Sequence, residues 1–214
     1  MGLFSMSVDL ADRNTVVLST GGEGQAAVGA LAEAGAHVRW IDPEIPQNFA
    51  PSSSLEICRR SYQPGDLKGC FVAVCGRLPG TAVAEVRAEA LADRVLLHLV
   101  GHRGASSFNL PSNLSVGAVT VSVDPGNASE ALADRIRDEI AATLGPEFAS
   151  AADYMVTLQE RFAKGTQRTQ AFTHLLQSGL LEALRRGDPG RVERMTESIC
   201  RDLPRREVSE EGEI

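Results

Sequence analysis

Short unbroken apolar runs alternate with stretches of helical spacing over the first half of the chain. Residues 15–19 (TVVLS) are apolar and β-branched and predict a buried strand. Gly21, Gly22 and Gly24 follow as a turn, and residues 25–34 predict a helix with Gly35 at its C-terminal cap. Residues 36–41 predict a second strand. Residues 70–75 (CFVAVC) predict a third, preceded by the turn residues Pro64, Gly65 and Asp66. Residues 81–92 carry Val83, Val86, Ala90 and Leu91 at helical spacing, and residues 94–100 (RVLLHLV) predict a fourth strand. This alternation predicts βαβ units and a parallel, doubly wound sheet.

The pattern then changes. Within residues 108–123, NLSVGAVTVSV predicts a hairpin that turns at Gly117. Residues 129–144 predict a helix with Ser129 as N-cap and Leu132, Ile136, Ile140 and Leu144 on one face. Gly145 and Pro146 punctuate, and residues 149–164, 170–186 and 189–200 predict three further helices. Arg185 and Arg186 occupy the last turn before Gly187, where the helix dipole favours cations. The tail EVSEEGEI is acidic and predicts disorder.

Bulk composition narrows the classes. A chain of 214 residues makes one large domain or two small ones. With 43% hydrophobic residues it can build a core without metals or disulfides. A net charge of −7 argues against nucleic acid as partner, because such binders carry a basic face. Cys58, Cys70, Cys75 and Cys200 form no CxxC pair and predict reduced thiols in a cytoplasmic protein. No apolar run reaches the ~20 residues of a membrane span. The start, MGLFSMSVDLADR, lacks the features of a signal peptide, and Met6 breaks the myristoylation pattern. The sequons at Asn113 and Asn127 are therefore incidental.

The glycine turn carries the first candidate chemistry. A dinucleotide-binding turn of the Rossmann type needs one glycine for a tight bend. A second lets a pyrophosphate approach the backbone, and a third packs helix on strand. Ser19, Gly21 and Gly24 stand in that spacing with serine first, and a shifted register, Gly22-x-Gly24-x-x-Ala27, also fits. Asp42 ends the second strand 21 residues after Gly21, where an acid takes ribose hydroxyls and repels a 2′-phosphate. NAD is the cofactor this pattern predicts.

Longer segments resemble a family. Leu10-Ala11-Asp12-Arg13 leads into the first strand, Glu33-Ala34-Gly35-Ala36 closes the helix, and Pro43-Glu44 follows the second strand. GASSFNLPS matches A-x-S-F-x-x-P-S through Ala105, Ser107, Phe108, Pro111 and Ser112. VSVDPGNAS matches V-x-V-S-S-G-G-T-S through Val121, Val123, Gly126 and Ser129, and Leu132 and Arg137 follow. Over most of its length the chain resembles the sirohaem synthase N-terminal module, an NAD-dependent precorrin-2 dehydrogenase and sirohydrochlorin ferrochelatase. The resemblance implies an α/β fold: a Rossmann-type parallel sheet over residues 1–112, a small dimerisation region over 113–146, and a helical C-terminal domain over 147–214. It also implies a homodimer with a tetrapyrrole-like substrate in the cleft between them.

The departures fall in the site. The family's glycine turn is Ser19-Thr20-Gly21 here, and its A-T-D-D segment beside the cofactor is Cys75-Gly76-Arg77-Leu78. Its N-x-x-D segment is His98-Leu99-Val100-Gly101, so the family's acid-base and chelation aspartate is Gly101. Its loop serine pair is Asp124-Pro125. A glycine neither moves a proton nor binds a metal, so another group must do so. His102, one residue on, is the candidate acid-base and metal-binding group, and Asp124 is the alternative carboxylate. His98, in mid-strand, is expected on a sheet face. Ser19, Gly21, Gly22, Gly24, Asp42, Cys75 and Gly76 are expected at the cofactor. Gly101, Arg103, Ser106, Ser107, Phe108 and Gly126 are expected at the substrate, with Arg77 and Arg103 placed to pair with tetrapyrrole carboxylates. Three functions fit these residues. One is a precorrin-2 dehydrogenase-like enzyme with or without chelatase activity. Another is a homologue recruited to a different small molecule. The third is a tetrapyrrole or metal binder, or a chelatase, that dehydrogenates nothing.

Overall fold

Five parallel strands form one sheet in the order β3-β2-β1-β4-β5. They are β1 Asn14–Leu18, β2 His37–Ile41, β3 Leu55–Cys58, β4 Val72–Cys75 and β5 Leu96–Leu99. The structure is a computed structural model that describes residues 4–126 and 128–205. Helix α1 (Gln25–Glu33) links β1 to β2, and α2 (Gly80–Ala92) links β4 to β5. The predicted doubly wound sheet is the observed one.

The apolar runs read as strands because both faces of the sheet are covered. On one face Val16, Leu18, Ile41, Ala73, Cys75, Leu97 and Leu99 pack against Val86 and Ala90 of α2. On the other, Val17, Val38, Trp40, Val72 and Val74 pack against Val28 and Leu31 of α1. Leu91 is off the buried stripe of α2 and 82% exposed, unlike Val83, Val86 and Ala90 around it. Gly35 follows α1 at φ +79°, as its predicted place at the cap requires.

Strand β3 is absent from the sequence pattern. It is four residues long, half-buried, and carries Glu56, whose carboxylate accepts a 2.8 Å bond from the Arg39 guanidinium. A short edge strand with a charge in its middle has no apolar run to announce it.

The chain divides between Leu110 and Pro111 into two compact units. In the second, β6 (Ser112–Val116) and β7 (Val119–Val123) form the predicted hairpin. Gly117 turns it at φ +59°, and a Cβ there would stand 2.7 Å from Cβ of Ala149. Five helices follow: α3 (Glu130–Thr143), α4 (Glu147–Arg161), α5 (Thr166–Gln177), α6 (Leu180–Arg185) and α7 (Pro189–Ile199). Ser129 caps α3 as expected, accepting from the Leu132 N–H. The helix predicted over 170–186 is two, because Gly179 adopts φ +97° between α5 and α6. Leu158, Phe172, Leu175, Leu180 and Val192 centre this unit's core. Asn127 and the acidic tail from residue 207 lie outside the described residues.

Candidate functional site

The sheet order places the C-terminal ends of β1 and β4 side by side at its centre, the position where open α/β sheets bind ligands. Ser19, the first residue past β1, donates nothing through its backbone to β4, but its neighbours tie the two ends together. The Gly76 N–H donates to the Leu18 carbonyl at 2.8 Å, and the Thr20 hydroxyl donates to the Arg77 carbonyl at 2.8 Å. A Cβ on Gly76 would stand 3.4 Å from Cβ of Ser19, so the crossing is close. Thr20 is a residue that sequence reasoning passed over. Its place between Ser19 and the first turn glycine was the available signal.

The turn itself requires glycine twice. Gly21 has φ +105° and Gly22 φ +75°, a region that side chains rarely enter. Gly24 is required for space instead. A Cβ there would approach Nε1 of Trp40 to 2.5 Å and Oγ of Ser19 to 2.8 Å. Gly24 caps α1, a nine-residue helix whose first turn has no side-chain cap and no acidic residue. The leading N–H groups of such a helix point at any anion placed before it. Both the turn and the helix start therefore fit the pyrophosphate of a dinucleotide.

Behind the turn lies a buried polar network. Asp42 has no exposed surface. Its Oδ2 accepts from the Ser19 hydroxyl at 2.5 Å and from the Gly22 N–H at 3.0 Å. Its Oδ1 accepts from the Glu44 N–H at 2.7 Å. The Ser19 oxygen in turn accepts the indole N–H of Trp40 at 3.1 Å. Trp40 was not singled out in the sequence, although it is the only tryptophan and lies in a strand beside a glycine turn. Arg59 holds the loop that follows, donating to the carbonyls of Ile45, Pro46 and Phe49. Cys75, at the end of β4, is fully buried, and burial alone pushes its thiol up to about 12. It contributes shape at the site and no nucleophile.

At the end of β5 the expected substrate residues separate by role. Gly101 has φ +77° and open space where a Cβ would stand. His102 is exposed, its N–H bonded to the Leu99 carbonyl. Arg103 begins a short 3-10 turn, Arg103–Ala105, and its side chain lies outside the described part. Ser106 and Ser107 instead face β5. The Ser107 hydroxyl accepts from the Leu97 N–H at 2.7 Å, and the Ser106 hydroxyl accepts from the Leu99 N–H at 2.9 Å. Both also approach carbonyls of the same strand. They occupy the outer rungs of an edge strand. Phe108 packs on the α1 face of the core and against the ring of His98, whose Nδ1 lies 3.2 Å from the Phe108 carbonyl. His98 is on a sheet face, as expected.

Asp124 and Gly126 belong to the second unit. The Asp124 carboxylate accepts from the Gly126 N–H at 2.8 Å, an Asx turn, and Gly126 has φ +62°. Among the described residues no three His, Cys, Asp or Glu side chains converge to hold a metal ion. None of the described helices is long and apolar enough to cross a membrane.

Known proteins resemble this chain in sequence and in fold. The family model NAD_binding_7, described as "Putative NAD(P)-binding", covers residues 6–112. The chain is 28% identical over 166 residues to a siroheme synthase of Methylobacillus flagellatus, covering 74% of this chain and 36% of that protein. It is 26% identical over 174 residues to a siroheme synthase of Pseudomonas aeruginosa, covering 78% and 37%. The chain thus spans well under half the length of the curated relatives it matches. The solved structure of SirC, precorrin-2 dehydrogenase, superposes with TM-score 0.66 at 14% identity, covering 90% of this chain and all of that one. That likeness is one of fold. The chain belongs to the NAD_binding_7 family, and over about three quarters of its length it is similar to siroheme synthases.

Proposed function

We propose that the protein is an NAD-dependent oxidoreductase of the precorrin-2 dehydrogenase type, acting on a precorrin-2-like tetrapyrrole in sirohaem-type biosynthesis. The observation that carries this reading is the glycine turn at the meeting of β1 and β4, in a chain whose relatives are siroheme synthases. Bound there, a nicotinamide supplies a hydride acceptor. Gly21 and Gly22 would seat the pyrophosphate ahead of α1, Gly24 lets that helix pack on Trp40 and Ser19, and Gly76 lets the end of β4 cross close to Ser19 beside the turn. The exposed His102 would take the proton that the family gives to its aspartate. Arg77 and Arg103 meet the carboxylates of the macrocycle. We assign the working form to a cytoplasmic homodimer, with the exposed Leu132 and Ile136 of α3 in its interface.

The test is direct. Precorrin-2 and NAD, mixed with the protein, should yield NADH absorbance and sirohydrochlorin in step. Absence of both products sinks this reading. A second reading is favoured by Gly101, which removes the acid from the strand end. The protein then binds a tetrapyrrole, or inserts its metal, without dehydrogenating it. Sirohydrochlorin titrated with Co²⁺ and without NAD distinguishes that version.

A further inference from the structure

The carboxylate expected to face the cofactor ribose is sealed in the protein. Three donors converge on the two oxygens of Asp42: the Ser19 hydroxyl, the Gly22 N–H and the Glu44 N–H. None of its surface reaches solvent. A buried carboxylate satisfied in this way fixes whatever donates to it. Here the donors are the serine that enters the glycine turn, a glycine within it, and the backbone just past β2. The turn is thereby locked to the end of β2.

The acid that does reach solvent at this edge is Glu44. It is exposed, and its N–H is held by Asp42. Its carbonyl lies 3.4 Å from the position a Cβ would take on Gly22, so it adjoins the turn. The other exposed acid of the turn, Glu23, lies beside Gly21, its Oε1 3.8 Å from the position a Cβ would take there and 3.9 Å from Arg77 past β4, on the side of the turn away from the end of β2.

We propose that Asp42 is a positioning residue of the phosphate-binding turn, and that the neighbouring Glu44 is the carboxylate that meets the adenosine ribose and discriminates NAD from NADP. This rests on the dinucleotide reading above. The two roles predict opposite behaviour. A positioning residue serves the pyrophosphate, which NAD and NADP share, so its loss weakens both by one factor. A ribose-facing carboxylate hydrogen-bonds the 2′-hydroxyl and repels a 2′-phosphate, so its loss moves the two affinities apart.

The experiment measures dissociation constants for NAD and NADP on the full chain by calorimetry, with tryptophan emission as a second readout. Trp40 is the sole tryptophan and donates to Ser19, so its emission reports the network without any catalysis. Asp42→Asn is expected to weaken both cofactors by roughly tenfold or more, as befits loss of a charge-assisted bond, and to shift Trp40 emission. The ratio of the two constants should stay unchanged. Glu44→Gln is expected to leave the emission alone and move the ratio about fivefold or more toward NADP. The proposal is overturned if Asp42→Asn moves the ratio and Glu44→Gln does not. Should Asp42→Asn fail to fold, Glu44→Gln decides, since it sits at the surface, and an unmoved ratio there overturns the assignment. Native protein that binds neither cofactor sinks the dinucleotide reading itself and this inference with it.

Discussion

At the residue scale, Gly24 is the most constrained position of the site. Its missing side chain leaves room for Trp40, Ser19 and Val17 at once. Gly24→Ala overpacks this corner and is expected to destabilise the fold by about 1–3 kcal/mol, measurable by urea denaturation followed through Trp40 emission. Cys75 gives a second prediction. Its thiol, raised to about 12 by burial, stays protonated at pH 8. An aromatic disulfide reagent should therefore label the part-exposed Cys58 and Cys70 in the native protein. Cys75 and the buried Cys200 should react only on unfolding. Labelling of Cys75 at the rate of Cys58 counts against this. Gly101→Asp places the family's acid where the structure leaves open space, at a positive φ that aspartate tolerates better than most residues. It should fold with a cost of about 1 kcal/mol and raise turnover of precorrin-2 with NAD.

At the element scale, the connection from β3 to β4 is secured by an ion pair. Asp66 is buried and accepts two bonds of 2.7 Å from the Arg60 guanidinium and one of 2.7 Å from the Gln63 N–H. Burial pushes its carboxyl up, but the guanidinium and the N–H together outweigh burial and hold it below its ordinary value. A lowered carboxylate contributes stability that is present above its unfolded pKa and lost as the pH falls through its folded one. Arg60→Ala should cost about 2 kcal/mol at neutral pH and flatten the acid limb of the stability curve. An unchanged limb contradicts this role. The elements themselves differ in how plainly the sequence announces them. β1, β2, β4 and β5 are apolar runs because helices cover both faces, and that burial is what periodicity detects. β3 is short, half-buried and charged, and α5 and α6 share one apolar rhythm that only the backbone of Gly179 interrupts. The glycine turn was legible because its residue type is its function. The burial of Asp42 and the turning of Ser106 and Ser107 onto β5 were not. Type and spacing locate a side chain on the chain, whereas three-dimensional neighbours decide whether it faces ligand or protein.

At the scale of the whole molecule, the two units hold separate cores. The sheet unit has one on each face, and the helical unit has its own around Leu158 and Leu175. The glycine turn, the Asp42 network and Glu44 all fall in the first unit. A chain ending at Leu110 is expected to unfold cooperatively and keep its cofactor affinity, as calorimetry on the truncated protein can check. The serines on β5 have a further bearing on how copies of this molecule meet. An edge strand offers free rungs on which a neighbour's backbone can template, the first step toward fibres and swapped sheets. Here two hydroxyls already fill the Leu97 and Leu99 rungs, so a foreign strand has to evict part of its own host before it can bind. Replacing Ser106 and Ser107 together with alanine should turn this border into a growth point, visible as light scattering that rises with protein concentration while the wild type stays clear.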